Sequence, residues 1–245
     1  MLGAQRKAHL LDVLARDGRI VAKTVATDLG LSEDSIRRDL RELADEGRII
    51  RVYGGALPVP AADRPVDARA DLATASKERV ARRAAESIRR GSTIVLDAGT
   101  TTLALARHLP RDAGLTVLTP SPAVALAVAE HSDGRVVMIG GELSRHSLVA
   151  SGSLAMEAIR HLAADVFYLG VTGVHPAQGL TTGELDDAVT KRALAERCAE
   201  VLVLASEEKI GAVSRYPVLD LSAVTAVITD PHDRNPLIPD LPLLP

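Results

Sequence analysis

Aromatic residues are almost missing from this chain: no tryptophan, one phenylalanine and three tyrosines in 245 residues. Its core must therefore be built from Ala, Val, Leu and Ile. Cysteine is represented once, by Cys198, which excludes an intrachain disulfide and any multi-cysteine metal site. The residue is expected on a helix, in the core. No apolar run approaches the ~20 residues of a membrane span, and the opening MLGAQRKAHLLDVLARDGR is too charged for a secretory signal. These absences predict a cytoplasmic protein with no membrane partner. An excess of basic charge is lacking too, the formal net charge being −3. Any affinity for nucleic acid must come from local placement of arginines, because the overall field does not supply it. The seven histidines are scattered without ligand spacing, so neither a metal nor a cofactor is expected. The length suits one or two domains, with ample chain to bury a core.

The chain is organised around the run SEDSIRRDLREL, residues 32–43. Ser32 is a good N-cap, and Glu33 and Asp34 follow where the positive end of a helix dipole favours acids. At ~100° per residue, Ile36, Leu40 and Leu43 form one buried stripe, and Arg38 and Arg41 fall opposite it. Ser35 and Arg37 lie on the flanks. A short helix held by one apolar stripe and offering two arginines outward fits a DNA major groove, and it equally fits any solvated amphipathic helix.

The neighbours bear on that choice. Residues 5–16 read as a first helix ended by Gly18-Arg19, and 22–29 as a second. Gly30-Leu31 makes a tight turn into the third, which Gly47 stops. Residues 48–53 then alternate like a strand, Gly54-Gly55 permits a turn, and 56–59 return. This is helix, helix, turn, helix and hairpin, with Arg48 and Arg51 on the hairpin able to reach a phosphate backbone. The run LGLSEDSIRRDLRELADEGRIIRVYGGAL resembles the DNA-binding domain of the DeoR family of bacterial transcription regulators, through its IRRDL core and its R-x-x-GGA wing. The resemblance implies a winged helix-turn-helix with Ser35, Arg37, Arg38 and Arg41 at or near duplex DNA. Geometry ranks Arg38 and Arg41 first as base or phosphate contacts.

Residues 1–57 are thus expected to form the DNA-binding domain, and 58–75, with three prolines and several alanines, a linker. A helix over 76–90 carries six basic residues read as a solvated face. From Ser92 onward short apolar strands alternate with helices, which argues for a mostly parallel sheet covered on both faces. This α/β domain is expected over 76–230, followed by an extended proline-rich tail, 231–245. Ligands gather at the carboxyl ends of such strands, and there the chain reads Asp97-Ala98-Gly99-Thr100-Thr101-Thr102. Gly99 lets the backbone turn close to a ligand, the next N–H groups point outward at a helix N-terminus, and three hydroxyls stand beside them. That arrangement suits a phosphate and equally a Thr-capped turn. Further candidates are Thr119, Ser121, Gly140-Gly141-Glu142, Thr172-Gly173, residues 179–182, Asp187, Lys191 and Lys209. Asp187 and Lys191, four apart on one helix, can pair with each other, as a surface ion pair or as part of the site.

This half resembles the DeoR-type sensor domain, which is similar in fold to ribose-5-phosphate isomerase. The matching pieces are DAGTTT at 97–102, GGEL at 140–143, GLTT at 179–182, DAVTKR at 187–192 and EKIG at 208–211. Departures from the family pattern stand at Pro120, Asp187 and Ser206. The resemblance implies a phosphorylated sugar or related metabolite bound at Asp97, Gly99 and Thr100–Thr102, with Lys191 and Lys209 nearby. Together the two halves point to a repressor of carbohydrate genes whose operator binding responds to that metabolite. Paired half-sites make a homo-oligomer the expectation. The competing reading is a sugar-phosphate isomerase with an accessory DNA-binding domain. Such an enzyme needs a carboxylate base, and the isomerases' acidic stretch reads Val171-Thr172-Gly173-Val174 here. No enzymatic activity is expected.

Overall fold

The computed structural model describes residues 3–17 and 19–244. Gly18, expected to break the first helix, lies outside the described residues. The chain divides into two compact units, 1–59 and 60–245.

In the first unit, α1 (Gly3–Asp17) leads through a two-residue strand β1 (Ile20–Val21) into α2 (Ala22–Leu29) and α3 (Glu33–Asp45). Gly30, in the left-handed conformation, ends α2. The Ser32 hydroxyl then accepts the Ser35 N–H to cap α3. Ile36, Leu40 and Leu43 are fully buried, as the stripe predicts, and pack with Leu10, Leu14, Val25 and Ile49 into one cluster. The hairpin follows as β2 (Ile49–Val52) and β3 (Gly55–Pro58). It is not a free hairpin, because β1 pairs with the outer side of β3, Val21 opposite Gly55. A Cβ on Gly55 would stand 1.7 Å from the Ile20 carbonyl oxygen, so only glycine permits this approach. Two residues carry too little pattern to read as a strand, and the three-stranded wing was not visible in the sequence.

The second unit opens with α4 (Thr74–Glu86) and continues β4 (Thr93–Leu96), α5 (Thr100–Arg107), β5 (Thr116–Thr119), α6 (Pro122–His131) and β6 (Arg135–Met138). A hairpin, β7 (Glu142–Leu143) with β8 (Ala150–Ser151), precedes α7 (Gly152–Arg160) and β9 (Ala164–Gly170). Then come β10 (Gly173–His175), β11 (Gly179–Thr182), α8 (Leu185–Ala195), β12 (Cys198–Ala205), β13 (Tyr216–Leu219) and β14 (Ala226–Thr229). Six strands form the main sheet in the order β14-β12-β9-β4-β5-β6, parallel throughout. Two apolar clusters cover its faces. Val80, Leu105 and Val128 lie on one side, and Phe167, Leu169 and Val203 on the other. A separate antiparallel sheet, β10-β11-β13, stands beside it.

Four expectations are corrected. Residues 60–73 are not a free linker: they belong to the second unit and form two 3₁₀ turns, Ala61–Asp63 and Asp67–Arg69, with Ala62 1% exposed. The α4 basic face is not simply solvated. Lys77 is buried, Arg79 holds Asp230 through two bonds of 2.7 and 2.6 Å, and Arg83 donates to the Leu244 carbonyl at 2.7 Å. The proline-rich tail is docked rather than extended in solvent, since Val227 and Leu243 form a parallel bridge and Leu241 is buried. Cys198 opens β12 instead of ending a helix, because α8 stops at Ala195. Among the described residues no helix is long and apolar enough to cross a membrane.

Candidate functional site

In the first unit the outward residues divide by their partners. Arg37 is tied along the helix to Glu33 at 2.8 Å, and the Ser35 hydroxyl lies 3.0 Å from that of Ser32. Arg38 and Arg41 are exposed, and their side chains have no hydrogen-bond or ion-pair partner among the described residues. Arg51 is exposed on β2. Arg48 instead borders a shallow groove shared with Lys7, Glu42 and Glu46. Of the acids in α3, Asp39 is buried and accepts from both Arg6 Nε and Arg6 Nη2 of α1. This pair sets α3 against α1. Sequence spacing does not reveal it, because Arg6 lies thirty-three residues away.

In the second unit the connections run β4 to β5 to β6 toward one edge and β9 to β12 to β14 toward the other. The direction of winding therefore reverses between β4 and β9, where a parallel sheet leaves a crevice beyond its strand ends. A cavity lies there, with about 520 Å³ of empty space including its open mouth. It is lined by Gly99–Thr102 after β4, Gly170–Thr172 at the end of β9, Thr182–Glu184 at the end of β11, Asp187 and Lys191 on α8, and Lys209 after β12.

Gly99 takes φ 114°, ψ 166°, a conformation open essentially to glycine alone, and turns the chain into α5. The Leu103 N–H is bonded to the Gly99 carbonyl, so the N–H groups ahead of it have no partner within the helix. Thr101 Oγ1 accepts from Lys209 Nζ at 3.0 Å. The Thr102 hydroxyl turns back onto the Ala98 carbonyl at 3.3 Å, which leaves Thr100, half-buried, with the more available side chain. Lys209 is buried and also donates to the Leu204 carbonyl. It has no carboxylate within ion-pair distance among the described residues, and burial pushes its pKa down to about 8.

Lys191 is different. It stands between Asp97 at 2.6 Å and Asp187 at 2.9 Å, and all three are buried. The Asp187–Lys191 pair is thus an interior feature rather than a surface one. Asp97 also accepts the N–H groups of Ala98 at 2.8 Å and Gly170 at 2.9 Å, while Thr182 donates to Asp187 at 2.6 Å. Desolvation opposes the Lys191 charge, but two adjacent carboxylates outweigh it and hold its pKa above the ordinary lysine value. Burial raises the Asp97 carboxyl.

Of the sequence candidates, Gly99, Thr100, Thr101, Thr102, Thr172, Thr182, Asp187, Lys191 and Lys209 line the cavity. Asp97 lies beneath it, bonded to Lys191. Thr119 and Ser121 instead serve the start of α6, and Gly140–Glu142 are not among the lining residues. Asp63, Arg69, His146, Ser147 and Glu184 line it unforeseen. The first two sit in the stretch that composition marks as a linker. Among the described residues no group of His, Cys, Asp or Glu is placed to hold a metal ion.

A winged helix-turn-helix joined in one chain to an α/β unit with a polar cavity at its switch point defines a ligand-responsive DNA-binding regulator. The chain belongs to the DeoR family of transcription regulators: the DeoR-like helix-turn-helix domain matches residues 6–59, and the DeoR C-terminal sensor domain residues 72–231. It is 34% identical over 233 residues to the HTH-type transcriptional regulator GlpR of Haloferax volcanii, across 94% of this chain and 91% of that protein. It is 31% identical to the glycerol-3-phosphate regulon repressor of Escherichia coli, across 94% and 92%. The second unit overlaps ribose 5-phosphate isomerase A of Methanocaldococcus jannaschii at 17% identity and a TM-score of 0.40, over 55% of this chain and 53% of that one.

Proposed function

We propose that this regulator is a repressor whose hold on operator DNA is set by a phosphorylated sugar or polyol bound in the second unit. The observation that carries the reading is Lys209 beside Thr101 at the N-terminus of α5: a buried ammonium with no carboxylate partner among the described residues, next to outward N–H groups and hydroxyls. That combination suits a phosphate dianion. Lys191 contributes less net charge, since two aspartates already surround it, and its task is to orient Asp97 and Asp187. Asp187 and Glu184, on the same wall, accept from hydroxyls, which favours a hydroxylated phosphate over a bare anion.

Both oxygens of Asp97 are engaged, so the carboxylate at the strand end is held rather than free to abstract a proton. This supports sensing over turnover. On the DNA side, Arg38 and Arg41 are the principal contacts to bases or phosphates, with Ser35, Arg37 and Arg51 supporting them. Arg48, beside Glu42 and Glu46, contributes least. Two copies of the chain on paired half-sites complete the reading.

The test begins by selecting bound duplexes from a random pool, then measuring affinity by fluorescence anisotropy with and without glycerol phosphate, pentose phosphates and hexose phosphates. One class of these is expected to change the affinity. Arg38→Ala and Arg41→Ala should each weaken specific binding by about 1–3 kcal/mol. Unchanged operator affinity with every phosphate at saturation overturns the switching claim, and isomerase turnover of any of them overturns the sensing one.

A further inference from the structure

Residues 60–73 run along the cavity as a strap, contributing Ala62, Asp63 and Arg69 to its lining. Pro60 and Ala62 are buried. The Asp63 N–H donates to the Pro60 carbonyl at 2.9 Å, and the Val66 N–H to the His146 carbonyl at 3.1 Å. His146 Nε2 meets the Asp63 carbonyl oxygen at 2.9 Å. Lys77 Nζ holds the Arg69 carbonyl at 2.9 Å. The backbone of the strap is thus well satisfied. Two of its side chains are not.

Asp63 Oδ1 and Arg69 Nε are shut off from solvent without a hydrogen-bond partner, and both residues line the cavity that holds Thr100, Thr101 and Lys209. The Asp63 side chain lies against Gly183, where an added Cβ would come within 2.3 Å of Oδ1. Neither residue has a salt bridge among the described residues. A desolvated polar atom left without a partner is costly to a fold; burial pushes the Asp63 carboxyl up, against hydrogen bonding from Thr172 and Ser214, and pushes the Arg69 guanidinium down against the nearby carboxylates. Groups kept at such a cost, facing a cavity, are suited to a ligand that completes them.

We propose that the strap is part of the effector site: Asp63 accepts from a hydroxyl of the bound phosphorylated polyol, and Arg69 donates to one of its anionic oxygens. The inference rests on the phosphate-binding reading of the cavity and extends it. Only Val59 separates the strap from Pro58, the last residue of β3. The strap is therefore the segment of chain that leads from the cavity to the wing.

The test uses the full chain, titrated calorimetrically with glycerol phosphate, a pentose phosphate and a hexose phosphate, taking the tightest as probe. Asp63→Asn and Arg69→Gln are each expected to weaken that probe tenfold or more, with a ligand-free Tm equal to or above the parent's. On adding the probe, the amides of Asp63, Val66, Arg69 and Leu72 should exchange more slowly. Parent-like affinity in both variants, or a loss accompanied by a lower ligand-free Tm, overturns the strap proposal. Lys209→Met separates the two levels: if it abolishes binding while the strap variants do not, the cavity reading stands and the strap falls. If the parent binds none of the three phosphates, both fall.

Discussion

Lys209 and Thr101, 108 residues apart in sequence, meet at 3.0 Å in the interior of the second unit. With its pKa lowered to about 8 by burial, Lys209 titrates within an accessible range. In the unfolded chain a lysine holds its proton to ~10.4. Between the two values the unfolded state binds more protons, so stability rises with pH through that window, and below about pH 8 the burial penalty is present in full. The proposed anion binding runs the other way, because it needs the ammonium. Effector affinity should fall above about pH 8 by up to about tenfold per pH unit, and Lys209→Met should flatten the profile. Calorimetric titration from pH 7 to 10 checks both. A slope that survives in Lys209→Met assigns the titration elsewhere.

Asp97 sits at the end of β4 with every contact directed inward, to Lys191, Gly170 and Ala98. Its removal leaves Lys191 with Asp187 alone and orphans the Gly170 N–H. Breaking a buried pair costs about 3–5 kcal/mol, and the remaining aspartate softens this. Asp97→Ala should therefore lose about 2–4 kcal/mol in denaturant unfolding. A loss below 1 kcal/mol would falsify the view that Asp97 is the structural keystone of the cavity.

The Arg6–Asp39 pair predicts that orientation of the recognition helix can be lost without touching its outer face. Asp39→Ala should cost about 1–3 kcal/mol and weaken operator binding, although its side chain is buried inside the unit. Arg6→Ala should do the same, and the double variant should be no worse than either single one. Fully additive losses in melting and anisotropy experiments would show that the two residues act separately.

Gly55→Ala places a methyl where the Ile20 carbonyl already stands, so β1 and β3 must part. The wing should then exchange its amides faster and operator affinity should drop, while the second unit keeps its melting transition. Hydrogen exchange of residues 49–58 reads this directly, and protection like the parent's would contradict it.

The α3 stripe, the outward arginines and the DAGTTT loop were legible because each is a local pattern: a period, a cap, or a glycine followed by hydroxyls. The parallel strands were legible for the same reason, as short apolar runs. What escaped was contact between distant, individually ordinary residues. Arg6 reads as one more surface charge until the fold brings it to Asp39. Asp63 and Arg69 read as linker because prolines and alanines surround them, and only burial distinguishes them. The β10-β11-β13 sheet was lost because its strands are short, two of them opening on glycine and the third carrying Pro217.

The docked tail also has a consequence for how copies of this protein behave toward one another. At one end of the six-stranded sheet, the Val227 N–H donates to the Pro242 carbonyl at 2.7 Å and the Leu244 N–H to the Val227 carbonyl at 3.2 Å. The rim of β14 is therefore occupied at Val227 by a single parallel bridge. Pro242 has no N–H to offer a newcomer. An exposed rim invites edge-to-edge aggregation, and here residues 242–244 act as a stopper against it. Trimming residues 241–245 should accordingly show first as cloudiness in concentrated solution, before any loss of DNA binding.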